Sequence, residues 1–212
     1  MRIKVCGMRD RANVEELAAL RPDYVGFIFY APSPRFCPEP PLTQEGIQRV
    51  GVFVDAPQDE IVKAVEEHKL DLVQLHGKES PLFCRDLKKA LEERVLGNVE
   101  LIKAFSVGAE FDFELLSPSL ELCDYFLFDT KGPAPGGNGQ VFDWKILEDS
   151  PWEKPFFLSG GIGLDELSRL KQFSTSKAAR YCLSLDVNSK FETTPGLKNI
   201  KDLKAFFDAI KA

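Results

Sequence analysis

Runs of apolar, β-branched and aromatic residues recur along this chain at fairly even intervals. Eight of them read as strands, over residues 2–6, 24–30, 49–55, 70–75, 101–105, 125–129, 155–159 and 181–186. Most are near-continuous apolar runs, such as Val25-Gly-Phe-Ile-Phe29 and Tyr125-Phe-Leu-Phe128. Strands of that kind are buried on both faces, as in a parallel sheet. Between the strands lie segments of helical spacing. Residues 13–20 carry apolar positions at Val14, Leu17, Ala18 and Leu20, with Asn13 as the expected N-cap. Residues 59–68 place Ile61, Val62 and Val65 on one face, and residues 80–95 do the same with Leu82, Phe83, Leu87, Ala90 and Leu91. Residues 164–173 and 199–212 read similarly, the last with a stripe of Leu203, Phe206, Phe207 and Ile210.

Strand and helix alternating in this way predict an α/β fold, and eight units predict a (β/α)8 TIM barrel. An open doubly wound sheet is the alternative. The first turn, Cys6-Gly7-Met8-Arg9, lacks the GxGxxG fingerprint that such a sheet would carry for a dinucleotide. No linker or composition break divides the chain, so residues 1–212 are expected to form one domain. Shared among eight units, 212 residues leave about 26 per unit, which is lean for this architecture.

The charge balance narrows the partners. A net charge of −6 argues against nucleic acid, which needs a basic face, but allows one small anionic ligand held by a few cations and backbone N–H groups. No apolar stretch is long enough for a membrane span, and the opening run reads as a strand rather than a signal peptide. The five cysteines are scattered without a CxxC, and there are two histidines, His68 and His76. A structural metal site is not expected, and the cysteines are expected to be reduced thiols in the cytoplasm.

In a barrel the chemistry lies where strands end and βα loops begin. Cys6 closes the first strand. A thiolate there can serve as a base if cations or loop dipoles lower its pKa; equally, a free cysteine is commonly a small buried hydrophobe. Asp129 closes the sixth strand, as an acid or as the cap of the next helix. It stands at the base of a loop, residues 131–139, whose glycines and prolines have the composition of an active-site lid. Gln74 and His76 end the fourth strand, His76 as ligand, base or packing group. Arg35 comes after the second strand, either pairing with a carboxylate or phosphate or solvated in its loop. The Ser159-Gly160-Gly161-Ile162-Gly163 turn after the seventh strand has the backbone freedom to cradle an anion, or is a tight turn without a ligand. Asp186 and Ser189 lie at the end of the eighth.

The ordered set of segments at these places resembles the phosphoribosylanthranilate isomerases. It runs through Lys4-Val-Cys-Gly-Met-Arg9, Asp23-Tyr-Val-Gly-Phe27, Ser33-Pro-Arg-Phe36, Val50-Gly-Val-Phe-Val54 and Val73-Gln-Leu-His-Gly77. It continues with Phe128-Asp-Thr-Lys131, Gly136-Gly-Asn-Gly139, Phe142-Asp-Trp144, Leu158-Ser-Gly-Gly161, Asp186-Val-Asn-Ser189 and Pro195-Gly-Leu-Lys198. The resemblance implies an Amadori rearrangement in tryptophan biosynthesis. N-(5-phosphoribosyl)anthranilate would become 1-(2-carboxyphenylamino)-1-deoxyribulose 5-phosphate, with no metal or organic cofactor. By motif correspondence Cys6 is the general base and Asp129 the general acid. Arg35 faces the substrate carboxylate, and Gly160, Gly161 and Ser189 take the phosphate. Gln74, His76 and Asp186 complete the substrate-binding set.

Two departures carry expectations of their own. Relatives commonly have Ser-Ser-Gly after the eighth strand's Asp-Val, whereas this chain has Asn188-Ser189-Lys190. Lys190 is expected either to strain a positive-φ position or to add a cation near the phosphate. The stretch between Arg35 and Gly51 holds Pro38, Pro40, Pro41 and Gly46, so the family's second helix is expected to be short or missing. A monomer is expected, with a dimer left open. Two other functions compete. A different sugar-phosphate barrel enzyme would need metal-binding histidines or catalytic lysines at other strand ends. A non-catalytic phosphate binder on a decayed barrel would have no need to keep both Cys6 and Asp129.

Overall fold

The computed structural model describes residues 1–95, 98–130 and 142–211. Eight parallel strands close into a barrel in chain order: β1 (Arg2–Cys6), β2 (Tyr24–Ile28), β3 (Gln48–Phe53), β4 (Leu72–Leu75), β5 (Glu100–Val107), β6 (Tyr125–Thr130), β7 (Phe156–Leu158) and β8 (Cys182–Val187). β8 pairs back onto β1, with Ile3 opposite Leu185 and Lys4 opposite Asp186. Closure leaves the barrel sheet without an unpaired edge.

The near-continuous apolar runs have a direct cause. Alternate residues of each strand enter two different cores. The outer core, between strands and helices, takes Ile3, Val5, Val25, Phe27, Phe126, Phe128 and Leu185. The barrel interior takes Cys6, Tyr24, Val50, Val52, Leu72, Ile102, Leu127 and Phe157. Phe157 packs edge-on against Tyr24 and Tyr125, with ring centroids 5.2 and 5.7 Å away. Both faces of a barrel strand are therefore dry, and no polar alternation is written into the sequence.

The helices are α1 (Arg11–Ala18), α2 (Gln58–His68), α3 (Pro81–Arg94), α4 (Leu167–Phe173) and α5 (Ile200–Lys211). They coincide with the five helical patterns of the sequence. Ser80 caps α3 by accepting from the Phe83 N–H, and Pro81 occupies the first turn, where a missing N–H costs nothing. The cap of α1 differs from expectation. Asp10 accepts from the Asn13 N–H, which places Asn13 inside the helix. The Asn13 side chain is instead buried, donating to the Lys198 carbonyl and accepting from the Lys198 N–H. That amide acts as a strand-like partner for a small hairpin, β9 (Glu192–Thr194) and β10 (Leu197–Lys198).

The helix expected to be short or missing is missing. Residues 29–47 run from β2 to β3 as turns, with one bridge between Ile28 and Phe36. Arg49 takes over part of the missing helix's work. Its guanidinium donates to the Pro41 and His68 carbonyls and lies over the Phe27 ring, 5.1 Å from its centroid. Among the described residues, the connections after β5 and β6 contain 3-10 turns, Phe113–Ser119 and Trp144–Asp149, and no α-helix. Among the described residues no helix is long and apolar enough to cross a membrane.

Candidate active site

The C-terminal ends of the strands surround a cleft of about 420 Å³, and all nine residues singled out in the sequence line it. The register of the strands explains how residues far apart in the chain meet there. Lys4 lies opposite Asp186 across the β1–β8 pair, with its side chain wholly buried at the cleft floor. Its ammonium donates to Asp186 Oδ2 at 3.0 Å and to Gln74 Oε1 at 2.7 Å. Gln74 Nε2 lies 2.7 Å from His76 Nδ1, and His76 Nε2 faces Asp129 Oδ2 at 3.4 Å. One continuous polar chain thus links β8, β1, β4 and β6 beneath the opening.

Cys6 stands one turn of the pleat above Lys4 on the same inward face. Its partner in register on β2 is Gly26, and a methyl group there would come within 2.8 Å of the thiol sulfur. The absence of a side chain at Gly26 is what makes room for the thiol. The role considered for Cys6 asks for a lowered pKa, but burial pushes the thiol up. Lys4 opposes the rise, Asp186 adds to it, and Lys198 also opposes it. Desolvation wins because the thiolate would lie in a largely dry floor. Burial lifts the Asp186 carboxyl as well, against the pull of Lys4. Burial works to lower the Lys4 pKa, but Asp186 and Cys6 outweigh it and the net direction is upward, so Lys4 is an ammonium.

Asp129 is buried at the end of β6, and its Oδ1 accepts from the Thr130 N–H at 2.9 Å. The loop that begins at Lys131, with its lid-like composition, lies outside the described residues. Asp186 Oδ1 is buried without a hydrogen-bond partner among the described residues.

Arg35 is not a solvated loop residue. Its Nε and Nη2 form a bidentate pair with Glu192 on β9, at 2.9 and 2.7 Å. Glu192 also accepts from Lys198, which in turn donates to Asn188 Oδ1, each at 2.7 Å. The fork spends one edge of the guanidinium on protein, and among the described residues Nη1 has no hydrogen-bond partner.

Gly160 and Gly161 both have positive φ, 94° and 70°. A side chain at Gly160 would collide with Thr130, whose backbone nitrogen would lie 2.7 Å from a Cβ. Ser189 comes after β8 across the same corner of the rim. Lys190 does not fulfil the expectation of strain, because its φ is not positive. Its ammonium pairs with Asp165 at 3.0 Å, so its charge is already engaged at the cleft edge.

Sequence reasoning missed Lys4, Glu192 and Lys198 as parts of this site. Lys4 carried a signal, a charge in an apolar strand two residues before Cys6 and hence on the same face. Lys198 was read only as part of the Pro195-Gly-Leu-Lys198 segment, and Glu192 carried no signal, because both lie on the β9–β10 hairpin, whose place beside Arg35 and Asn188 depends on the whole barrel.

Fold and cleft together define the class: a (β/α)8-barrel protein with a polar, titratable cleft at the C-terminal rim of its strands. A family model described as N-(5'phosphoribosyl)anthranilate (PRA) isomerase matches residues 3–209, and the chain belongs to that family. It is 41% identical to the N-(5'-phosphoribosyl)anthranilate isomerase of Parabacteroides distasonis, over 99% of this chain and 93% of that protein. Among solved structures it resembles the phosphoribosyl anthranilate isomerase of Thermotoga maritima, with a TM-score of 0.80, 30% identity and coverage of 100% of this chain and 98% of that one. It also resembles a phosphoribosyl anthranilate isomerase solved in complex with reduced 1-(o-carboxyphenylamino)-1-deoxyribulose 5-phosphate. There the TM-score is 0.78 and the identity 27%, over 100% of this chain and 98% of that one.

Proposed function

We propose that this chain catalyses the Amadori rearrangement of N-(5-phosphoribosyl)anthranilate to 1-(2-carboxyphenylamino)-1-deoxyribulose 5-phosphate, with Asp129 as general acid and Cys6 as general base. The observation that carries the reading is the disposition of Cys6 and Asp129 on the walls of one cleft. β1 and β6 are separated by β7 and β8 on one arc and by four strands on the other. A sugar lying between them meets an acid at one end of its reacting bonds and a base at the other.

The chemistry sets the order of steps, since the proton at C2 becomes acidic only once the ring has opened to a Schiff base. Asp129 in its protonated form delivers its proton to the furanose ring oxygen. The C1–O bond breaks and the anthranilate nitrogen shares its lone pair with C1, giving a Schiff base. Cys6 as thiolate removes the proton from C2, and the electron pair of that C–H bond forms the enolamine. Loss of the hydroxyl proton at C2 and protonation at C1 complete the ketose. After its proton has left, the Asp129 carboxylate keeps the Thr130 N–H as a donor.

The rest of the cleft suits the two ends of such a molecule. Gly160, Gly161 and Ser189 offer backbone N–H groups to a phosphate on the β7–β8 side. On the β2–β3 side Ile28, Val52 and Val54 form an apolar wall for an aromatic ring. Arg35, held by Glu192, turns its remaining edge to the ring's carboxylate. Asp186, at the cleft lining, has in Oδ1 a buried acceptor unpaired among the described residues, suited to a sugar hydroxyl that reaches the floor. The test is turnover, measured as loss of phosphoribosylanthranilate fluorescence. Cys6→Ala and Asp129→Asn should each lower kcat by about 100-fold or more. Near-wild-type turnover in both variants would remove the assignment, and tight ligand binding without turnover by the wild-type chain would make it a binder.

A further inference from the structure

The chain of polar contacts beneath the cleft has a directional logic that the acid and base roles do not use. A lysine ammonium can only donate, so the Gln74 atom 2.7 Å from Lys4 Nζ is the amide oxygen. The other end of that amide is then the NH2 group, which also can only donate, and it lies 2.7 Å from His76 Nδ1. A ring nitrogen so placed must accept and therefore carries no proton. The one proton of a neutral ring is then on Nε2, 3.4 Å from Asp129 Oδ2. An imidazolium would set N–H against N–H at the Gln74 contact.

We infer that Lys4 and Gln74 form a tautomer lock that holds His76 as the neutral Nε2–H imidazole facing Asp129. Lys4 and Gln74 are positioning residues here; neither needs to touch the reacting atoms. The inference deepens the proposed reaction and rests on it for its consequence. In the opposite tautomer Nε2 would offer a lone pair to Asp129 and hold the acid's proton inside the protein. The locked form denies Asp129 that acceptor, leaves its proton free for the substrate and supplies a donor toward the carboxylate once the proton has left. Lys4 serves both ends of the cleft, since the same ammonium holds Asp186 and lies beside Cys6.

The experiment uses ring-15N-labelled histidine in the ligand-free protein at neutral pH. His68→Gln removes the second histidine and assigns the His76 signals. The wild-type ring is expected to show a protonated Nε2 and a bare Nδ1. In Gln74→Glu the carboxylate can still take the Lys4 bond, but it presents an acceptor to the ring, so His76 is expected to gain a proton on Nδ1. With that change kcat should fall by about tenfold or more while KM moves less, the signature of a group that acts on the chemical step. Lys4→Met, where it folds, should release the amide to rotate and yield a mixture of tautomers. A wild-type His76 found as the Nδ1–H form, an even mixture or an imidazolium overturns the inference, as does a Gln74→Glu ring unchanged from wild type. The spectrum is independent of turnover. An inactive wild-type chain with the locked ring would overturn the proposed reaction alone, and an active one with the wrong tautomer would overturn only the lock.

Discussion

Cys6 shows how a single residue's chemistry is set by neighbours that its own segment does not contain. Its place at the end of an apolar strand was legible; that it faces the barrel interior was not. Nor was the direction of its pKa, because the burial that raises it comes from the closed barrel, and Asp186 on β8, which adds to the rise, and Lys198 on the hairpin, which opposes it, lie far along the chain. A base role for a thiol held above its ordinary value has a consequence. If thiolate is the active form, it is a minor species near neutrality and its share grows with pH. The kcat/KM of the free enzyme should therefore rise between about pH 7 and about pH 9, with a limb above the ordinary thiol value of about 8.5. The wild-type minus Cys6→Ala difference in thiolate absorbance, which removes the contribution of the other four cysteines, should grow with the same limb. A profile already flat from pH 7 upward would mean that Lys4 and Lys198 outweigh desolvation. Arg35 teaches the complementary lesson. Ser33-Pro34-Arg35 marked a loop arginine, but its bidentate anchor, Glu192, lies 157 positions away and no local pattern announces it.

At the scale of elements, most of what was legible came from burial on two faces. Each strand run maps onto a barrel strand because its alternate residues fill two dry cores. The ends were less legible. The run expected to begin at Leu70 starts as a strand only at Leu72, since Lys69 turns left-handed to end α2 and Leu70 belongs to that turn. The missing helix after β2 could be read from prolines, which break helical hydrogen bonding by their own geometry. The displaced cap of α1 could not. Asp10 and Asn13 are both good caps, and the choice fell to the burial of Asn13 against Lys198. The glycine turn after β7 carries a prediction of its own. Gly160→Ala asks for a side chain at φ 94° and against the Thr130 backbone, so the turn must shift. KM for the phosphate-bearing substrate should rise by about tenfold or more, with a smaller change in kcat. An unchanged KM would take the phosphate away from this turn.

The whole molecule is a barrel whose interior is apolar at its centre and polar at its C-terminal floor. Phe157 belongs to the apolar part, wholly buried between Tyr24 and Tyr125. Phe157→Ala should destabilise the fold by about 3–5 kcal/mol, read as a lowered urea midpoint with an unchanged slope. A cost under about 1 kcal/mol would mean that the interior collapses around the loss. The sequence by itself determined the number and order of the eight barrel strands, the parallel sheet, the five helices and the strand ends at which the cleft would form. Those features depend on which residues avoid water, and hydrophobic spacing records that locally. Only the tertiary structure decided how the chosen residues are wired. Barrel closure sets Lys4 beside Asp186, 182 positions apart, and beside Gln74 at 70. Hydrogen bonds at such separations exist only once the register of all eight strands is set, so no segment of the chain carries them alone.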